Sequence, residues 1–135
     1  MSFEYNVLII ESHLDTFGHV NNATYLQLYE EARWDFITRN GYGLNEVLKR
    51  QVGPTLLEVE LKFRREIKNR DKITIKTEVE STRGKIFYIL QKMFNEADKL
   101  CSEARFTAGL FDMKARKLIM PTEDWISACG LSDDR

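Results

Sequence analysis

Asp15-Thr16-Phe17-Gly18-His19-Val20-Asn21-Asn22 is the stretch that decides the fold, because the pattern of the chain changes across it. Residues 3–11, before it, are rich in β-branched and aromatic side chains, which favours a strand. Over about residues 22–40, after it, apolar side chains recur every three or four positions. That spacing predicts an amphipathic helix. The run itself is therefore predicted to be a loop that joins a strand to a long helix.

The helix pattern carries its own start and stop signals. Asn21 or Asn22 can cap its first turn, and Gly41 can take the left-handed conformation that ends it. The apolar stripe includes Tyr25 and Tyr29 and is broad. We therefore expect a sheet to cover much of this helix.

The rest of the chain reads mainly as strands. A short second helix is predicted over residues 45–50, ended by Gly53-Pro54. The predicted strands are residues 56–66, 72–82, 86–90, 99–112 and 117–120, followed by a helical turn that Thr122 caps. In the first of these strands, the side chains predicted to face the core are Leu57, Val59, Leu61 and Phe63. Hairpin-length turns between the strands indicate antiparallel neighbours.

This order predicts an α+β fold with one long central helix and a curved antiparallel sheet of five to six strands. The length of 135 residues fits a single domain that spans residues 1–135. Because one helix cannot cover both faces of so wide a sheet, the other face meets either water or a second subunit. We expect pairing into a dimer.

Composition excludes several classes of function. The chain is 43% hydrophobic, and its 20 basic and 21 acidic residues give a net charge of -1, so nothing points to a nucleic-acid or membrane surface. We expect no signal peptide and no membrane span. The two cysteines form no CxxC motif, which favours reduced thiols and a cytoplasmic location. We also expect no metal and no cofactor, because neither a metal-ligand cluster nor a glycine-rich phosphate loop can be read.

Asp15 is the candidate for chemistry. A carboxylate beside a helix N-terminus can act as a base or a nucleophile, and free N–H groups around Asn21, Asn22 and Ala23 can polarise a carbonyl oxygen. That combination suits acyl transfer. The simpler alternative is that Asp15 and the two asparagines only shape the loop and cap the helix.

The motif Asp15-x-x-Gly18-His19-Val20-Asn21-Asn22-x-x-Tyr25 and the later run Tyr29-Glu30-Glu31-Ala32-Arg33 resemble those of the hotdog-fold acyl-CoA thioesterases. More narrowly, they resemble the 4-hydroxybenzoyl-CoA thioesterase-like branch. The likeness continues through residues 59–65, 80–85 and 103–105, so it covers nearly the whole chain in the expected order.

The resemblance implies roles for the residues of the loop. Asp15 matches the nucleophile or general base of that branch, and the backbone N–H of Asn22 matches the donor that polarises the thioester carbonyl. His19 and Asn21 are assigned to loop geometry or to contact with the carbonyl. Tyr25 is expected to line the acyl pocket, or else to be a core tyrosine.

The resemblance also implies a phosphate site for coenzyme A at Arg83-Gly84-Lys85, although some relatives have two adjacent arginines where this chain has Arg83 and Gly84. Arg64 and Arg65 add cations with suitable chemistry, or else form a solvated strand end. Glu30 and Glu31 either include a second active-site carboxylate, or they lie on a solvated helix face or pair with Arg33 or Arg39.

The function these assignments imply is hydrolysis of an acyl-CoA thioester to the free acid and coenzyme A. A homodimer or homotetramer is expected, with the site between one chain's Asp15 loop and the strands of the other. Two alternatives remain: a hotdog dimer that binds acyl-CoA or a partner protein without turnover, and a thioesterase that acts on acyl carrier protein.

Overall fold

The computed structural model describes residues 2–131. Its elements are β1 (Phe3–Leu8), α1 (Asn22–Arg39), α2 (Leu44–Arg50), β2 (Val52–Phe63), β3 (Lys72–Ser81), β4 (Ile86–Phe94), β5 (Leu100–Asp112), β6 (Lys117–Ile119) and α3 (Glu123–Ala128). A 3-10 helix at Glu11–His13 follows β1. Within residues 2–131, no helix is long and apolar enough to cross a membrane.

The six strands form one antiparallel sheet in the order β1-β3-β4-β5-β2, with β6 paired to the end of β5. The α+β class and the antiparallel pairing predicted from the sequence are confirmed. β1 and β2 lie at the two edges, so β2 has one row of backbone groups with no strand beside it among residues 2–131.

The start and stop signals of α1 act as predicted. The Asn21 side chain accepts a hydrogen bond from the Ala23 N–H at 2.9 Å, which makes Asn21 the cap. Asn22 is the first helical residue, and its own side chain accepts from the same N–H at 3.0 Å. Gly41 takes a φ of +89° just past the end of the helix.

The core lies between α1 and the concave face of the sheet. Helix side chains such as Leu28, Tyr29 and Phe36 are buried against Phe87 and Phe106 of the central strands. The rings of Tyr29 and Phe106 meet edge to face, with centroids 6.1 Å apart. Burial of this apolar surface is the main force that holds the helix on the sheet.

A buried polar cluster, formed by Tyr29, Arg33, Thr77, Gln91 and Ser102, fixes the helix on the sheet more specifically. The Gln91 side-chain amide donates to the Tyr29 carbonyl and to the Thr77 hydroxyl, each at 3.0 Å. Arg33 Nη1 donates to Gln91 Oε1 at 3.0 Å, and the Tyr29 hydroxyl donates to Ser102 Oγ at 2.8 Å. Three of these bonds join a helix residue to a strand residue, and the fourth holds Gln91 to Thr77 of β3. Together they set the position of α1 along the strands and its rotation about its own axis.

Several predicted boundaries are wrong for identifiable reasons. The first strand ends at Leu8 rather than residue 11, because the chain turns into the 3-10 helix. Gly53-Pro54 was expected to end the second helix, but the left-handed Gln51 ends it and β2 begins at Val52. A proline is tolerated here because β2 is an edge strand, where not every N–H needs a partner in the sheet.

The predicted inward face of β2 is wrong at Leu57. A register shift between Leu56 and Glu58 places Leu56, rather than Leu57, opposite the buried Ala108. Beyond this bulge, Val59 and Phe63 face the helix side as predicted, but they remain 43% and 55% exposed. In the single chain, the helix-side face of β2 is therefore largely uncovered.

The opposite face of the sheet is charged. Across β2 and β5, Glu60 stands opposite Arg105 and Lys62 stands opposite Glu103. Opposite charges at directly facing positions stabilise a solvated sheet face. The sequence left two possibilities for this face, contact with water or contact with a second subunit, and its charged side chains fit contact with water better.

Candidate active site

The Asp15 loop is a tight hairpin that the strand-to-helix junction holds in place. Leu14 and Val20 form an isolated bridge, the Asp15 N–H donates to the His19 carbonyl at 2.8 Å, and the Gly18 N–H donates to the Asp15 carbonyl at 3.2 Å. Gly18 has a φ of +80°, which a residue with a side chain adopts only with strain. The loop forms here because Gly18 allows the backbone to reverse its direction directly before the helix.

The Asp15 carboxylate uses one oxygen for the loop and leaves the other available. Oδ1 accepts from the Phe17 N–H at 2.8 Å and from the His19 N–H at 3.2 Å. Within residues 2–131, Oδ2 has no hydrogen-bond or ion-pair partner, and the residue is half-buried. The carboxylate is thus oriented by its backbone neighbours without being neutralised by a cation.

Most backbone N–H groups at the start of α1 already have acceptors. The Asn21 N–H donates to the His13 carbonyl at 2.9 Å, the Ala23 N–H is capped, and the Thr24 N–H donates to the Asn21 carbonyl at 2.9 Å. The Asn22 N–H has no acceptor in the described part of the chain. It lies at the positive end of an 18-residue helix, where a developing oxyanion is stabilised.

Tyr25 lies one turn into the helix and is 5% exposed. Its ring contacts Phe63 of β2 edge to face, with centroids 4.9 Å apart. The pKa of the Tyr25 hydroxyl is raised, chiefly by burial and to a lesser extent by Cys101 and Asp15. Asp15 is therefore close enough to the Tyr25 hydroxyl to affect its pKa. The rings of Tyr25 and Phe63 form a mostly apolar surface near the loop.

His19 ties the loop to the segment that follows β2. Its Nε2 lies 2.8 Å from Glu66 Oε2, and its backbone bridges to Lys68. The Val20 N–H donates to the Ile67 carbonyl at 3.0 Å. These contacts agree with the predicted role of His19 in loop geometry, and its contact with substrate stays a prediction.

The predicted phosphate-binding cations differ in availability. Arg64 pairs with Glu103 at 3.3 Å, which reduces the charge it can offer to another anion. The side chains of Arg65, Arg83 and Lys85 have no ion-pair partner among residues 2–131, and all three residues are exposed. The turn that carries Arg83 is closed by the Thr82 hydroxyl, which bonds the Ile86 carbonyl and the Gly84 N–H.

One chain does not bring all of these residues together. Asp15, Arg64 and Arg65 lie at the end of the sheet where β2 stops and β3 starts. The turn with Arg83 and Lys85 lies at the far end of β3, about 30 Å away along ten extended residues. Within one chain, the Asp15 loop and the Arg83 turn therefore do not form a single compact site.

Glu30 and Glu31 lie on the exposed face of α1, one of the predicted alternatives, and neither forms the alternative ion pair with Arg33 or Arg39 among residues 2–131. Arg39 pairs with Asp35 at 2.7 Å, and Glu31 accepts from the Tyr5 hydroxyl at 3.3 Å. Glu30 lies near enough to Arg33 to affect its pKa, but the two make no ion pair. Eight residues of helix separate Asn22 from Glu30, about 12 Å, so Glu30 is not a second carboxylate beside its own chain's Asp15 loop.

A long helix on a curved antiparallel sheet, with the Asp15 loop at the start of the helix, is the architecture of the hotdog fold. The chain belongs to the Thioesterase-like superfamily, whose model matches residues 11–128. The hotdog fold and the family that the sequence motifs indicated are confirmed.

Individual relatives agree with this assignment. Long-chain acyl-CoA thioesterase FadM of Escherichia coli (strain K12) is 29% identical over 108 residues, which are 79% of this chain and 81% of FadM. The chloroplastic acyl-acyl carrier protein thioesterase ATL3 of Arabidopsis thaliana is 27% identical over 88% of this chain and 63% of ATL3. The structure of SAV2348 from Staphylococcus aureus in complex with CoA superposes with a TM-score of 0.88 at 15% identity, covering 96% of this chain and 82% of that chain.

Proposed function

We propose that this protein hydrolyses acyl-CoA thioesters to the free acid and coenzyme A, with Asp15 as the nucleophile or general base. The observation that carries the proposal is that the two oxygens of the Asp15 carboxylate differ in their hydrogen bonding. Oδ1 is held by two backbone N–H groups, whereas Oδ2 has no partner among residues 2–131, and the loop leads into a helix whose Asn22 N–H is also without an acceptor there. The printed names of relatives such as FadM support acyl-CoA as the substrate.

Two routes use this geometry. In the first, Asp15 Oδ2 attacks the thioester carbonyl, the carbon–sulfur bond breaks to release the coenzyme A thiolate, and water then hydrolyses the acyl-aspartate anhydride. In the second, Asp15 removes a proton from a water molecule as the water attacks the carbonyl, and the proton passes to the leaving sulfur. In both, the Asn22 N–H donates to the carbonyl oxygen as negative charge develops on it.

The site is completed by a second subunit. β2 has a free edge of 12 residues, and its exposed apolar side chains include Leu56, Val59 and Phe63. Antiparallel pairing of two β2 strands about a two-fold axis would continue the sheet and cover these side chains. A homodimer is the smallest assembly that does this, and a homotetramer would add a further interface.

Such a dimer resolves the separation of the predicted site residues. A two-fold axis perpendicular to antiparallel β2 strands reverses the sheet of the partner subunit. The partner's Arg83 and Lys85 then lie at the same end of the joined sheet as this chain's Asp15 and Arg65. These cations, together with the less available Arg64, would bind the phosphates of coenzyme A. Two free, buried cysteines are compatible with function in the reducing cytoplasm.

A thioesterase that acts on acyl carrier protein is the second candidate, because ATL3 carries that activity in its name. It would use the same Asp15 chemistry but would need a protein-docking surface instead of a phosphate site. A non-catalytic hotdog binder would use the same fold but has no chemical need for the unpartnered Asp15 oxygen.

The decisive experiment compares wild type with Asp15→Asn on a panel of short, long and aromatic acyl-CoAs, with released thiol as the readout. Asparagine keeps an Oδ1 that accepts both loop hydrogen bonds, so the fold should be unchanged. We expect kcat to fall about a hundredfold or more, with little change in KM. Asp98→Asn, the same chemical change in an exposed turn, is the matched control and should behave as wild type.

Near-wild-type turnover by Asp15→Asn would remove the carboxylate from the mechanism. Tight binding of acyl-CoAs by wild type without thiol release would favour the binder. Slow turnover of every CoA ester, with fast turnover of acyl carrier protein esters, would favour the second candidate.

A further inference from the structure

A cavity of about 120 Å³ lies between α1 and the concave face of the sheet. Its lining is mostly apolar and includes Trp34, Ile37, Leu56, Ile89 and Trp125. An apolar cavity of roughly this size is sufficient for a benzene ring. Two charged residues, Glu30 and Arg33, complete the lining.

Arg33 is the unusual member of this lining. Nη1 donates to Gln91 Oε1 at 3.0 Å, and Cζ stands 4.3 Å from the centre of the Phe106 ring. In the described part of the chain, the guanidinium has no ion-pair partner, and Nε and Nη2 make no hydrogen bond. Burial lowers the pKa of Arg33 to about 10, so the group remains a cation at neutral pH.

The unused N–H groups of Arg33 are not fully buried. Among residues 2–131, no fully buried side-chain nitrogen or oxygen lacks a hydrogen-bond partner. Nε and Nη2 lack partners among these residues, so they are not fully buried, and Arg33 is itself part of the cavity lining. A cation with free donors in an apolar pocket is costly unless a ligand oxygen satisfies it.

The cavity is also placed to receive part of a substrate. Leu56 belongs to the β2 edge, so the cavity adjoins the proposed subunit boundary. Arg33 is 11 residues beyond Asn22, about 16 Å along α1, and bonds Gln91 near the middle of β4. The cavity extends from there toward the end of the sheet opposite Asp15, because Leu56 and Ile89 lie on the Arg83 side of Gln91. In the proposed dimer, that end faces the Asp15 loop of the partner subunit.

We propose that the distal part of the acyl group enters this cavity and that Arg33 binds an oxygen acceptor on it. The preferred substrates are acyl-CoAs whose chain or ring carries a hydroxyl, oxo or carboxylate oxygen away from the thioester. This inference rests on the proposed thioesterase function and adds the substrate class. Glu30, at the same cavity, would favour neutral oxygens over a carboxylate by repulsion.

The test uses matched pairs of equal chain length: hexanoyl-, octanoyl- and decanoyl-CoA against their ω-hydroxy and ω-carboxy counterparts. For at least one length, wild type should show a kcat/KM for an oxygenated ester at least about tenfold higher than for the plain ester. The hydroxy and carboxy arms separate neutral from anionic acceptors. Equal or lower rates for oxygenated esters at every length overturn the proposal.

Variants assign the preference to the guanidinium. In Arg33→Gln and Arg33→Met, the oxygenated-to-plain ratio should fall toward one, and Arg39→Met, on the exposed side of the same helix, should leave it unchanged. A ratio within one preparation is independent of the folded fraction, so partial misfolding does not obscure it. An unchanged ratio in both Arg33 variants overturns the proposal.

Calorimetric binding of the same pairs to Asp15→Asn provides a readout without turnover. A tenfold tighter Kd for oxygenated esters supports the cavity assignment even if wild type releases no thiol, in which case only the hydrolase proposal fails. Equal Kd values, with normal hydrolysis by wild type, leave the hydrolase proposal standing and refute the role of Arg33.

Discussion

Replacing Gln91 with leucine should lower the free energy of unfolding by about 3 kcal/mol. Gln91 is fully buried and is the centre of the polar cluster between α1 and the sheet. Its side chain makes three hydrogen bonds, with Arg33, Thr77 and the Tyr29 carbonyl. Leucine has a similar size but can make none of them.

The three bonds contribute unequally. Loss of the charge-assisted bond from Arg33 costs about 1.5–3 kcal/mol, and the buried Thr77 hydroxyl left without its partner costs about 1–3 kcal/mol. The Tyr29 carbonyl lies within α1 and can keep its helical hydrogen bond, so it adds little. Burial of the leucine side chain in place of an amide returns roughly 1 kcal/mol. The net loss is therefore about 3 kcal/mol.

Urea and thermal unfolding at one fixed protein concentration measure this loss, because an oligomer's midpoint depends on concentration. We expect the midpoint temperature to fall by roughly 10 °C, at about 3–5 °C per kcal/mol for a chain of this size. Gln27→Leu, the same substitution at an exposed position of α1, is the control and should stay within about 0.5 kcal/mol of wild type. A loss below about 1 kcal/mol for Gln91→Leu would show that the buried bonds do not hold the helix.

Two further predictions concern the β2 edge and a buried thiol. Val59→Lys places a charge on the helix-side face of β2 and should weaken dimerisation at least about tenfold, as measured by sedimentation. Glu60→Gln, on the outer face, is the control and should leave the affinity of the dimer unchanged. A Val59→Lys dimer of unchanged affinity would exclude pairing through β2. Burial raises the pKa of the Cys129 thiol from 9.0 to about 12, so the unfolded chain loses this proton first and stability falls above pH 9. Compared with Cys129→Ala, wild type should lose roughly 1.4 kcal/mol between about pH 8 and about pH 10 in urea unfolding, and a pH-independent difference would contradict the burial of that thiol.

The sequence was sufficient for α1 because its signals are local. Asn21 caps the helix through its own side chain, Gly41 ends it through its own φ, and the apolar spacing fixes the buried face. The Asp15 loop was predictable for the same reason, since Gly18 marks the reversal. Family motifs then added roles that spacing alone left open.

The errors lie where distant partners decide. Leu57 has the alternation of an inward residue, but a bulge against β5 shifts the register, and no local signal marks it. The strand predicted to stop at Leu90 continues to Phe94, because Gln91 looks like a polar end and is instead satisfied by α1 and β3. The sequence places Arg33 in a motif and allows it an ion pair, and only the folded chain shows that it lines a cavity and pairs with no carboxylate among residues 2–131.

The placement of Asp15 and the Arg83 turn at opposite ends of one sheet has a genetic consequence in the proposed dimer. A subunit without the carboxylate and a subunit without the turn's cations would each be impaired when paired with themselves. Paired with each other, they would rebuild one intact centre and one that carries both defects. Two defective alleles would thus complement each other within a single gene, because the inherited unit of activity is the pair of chains.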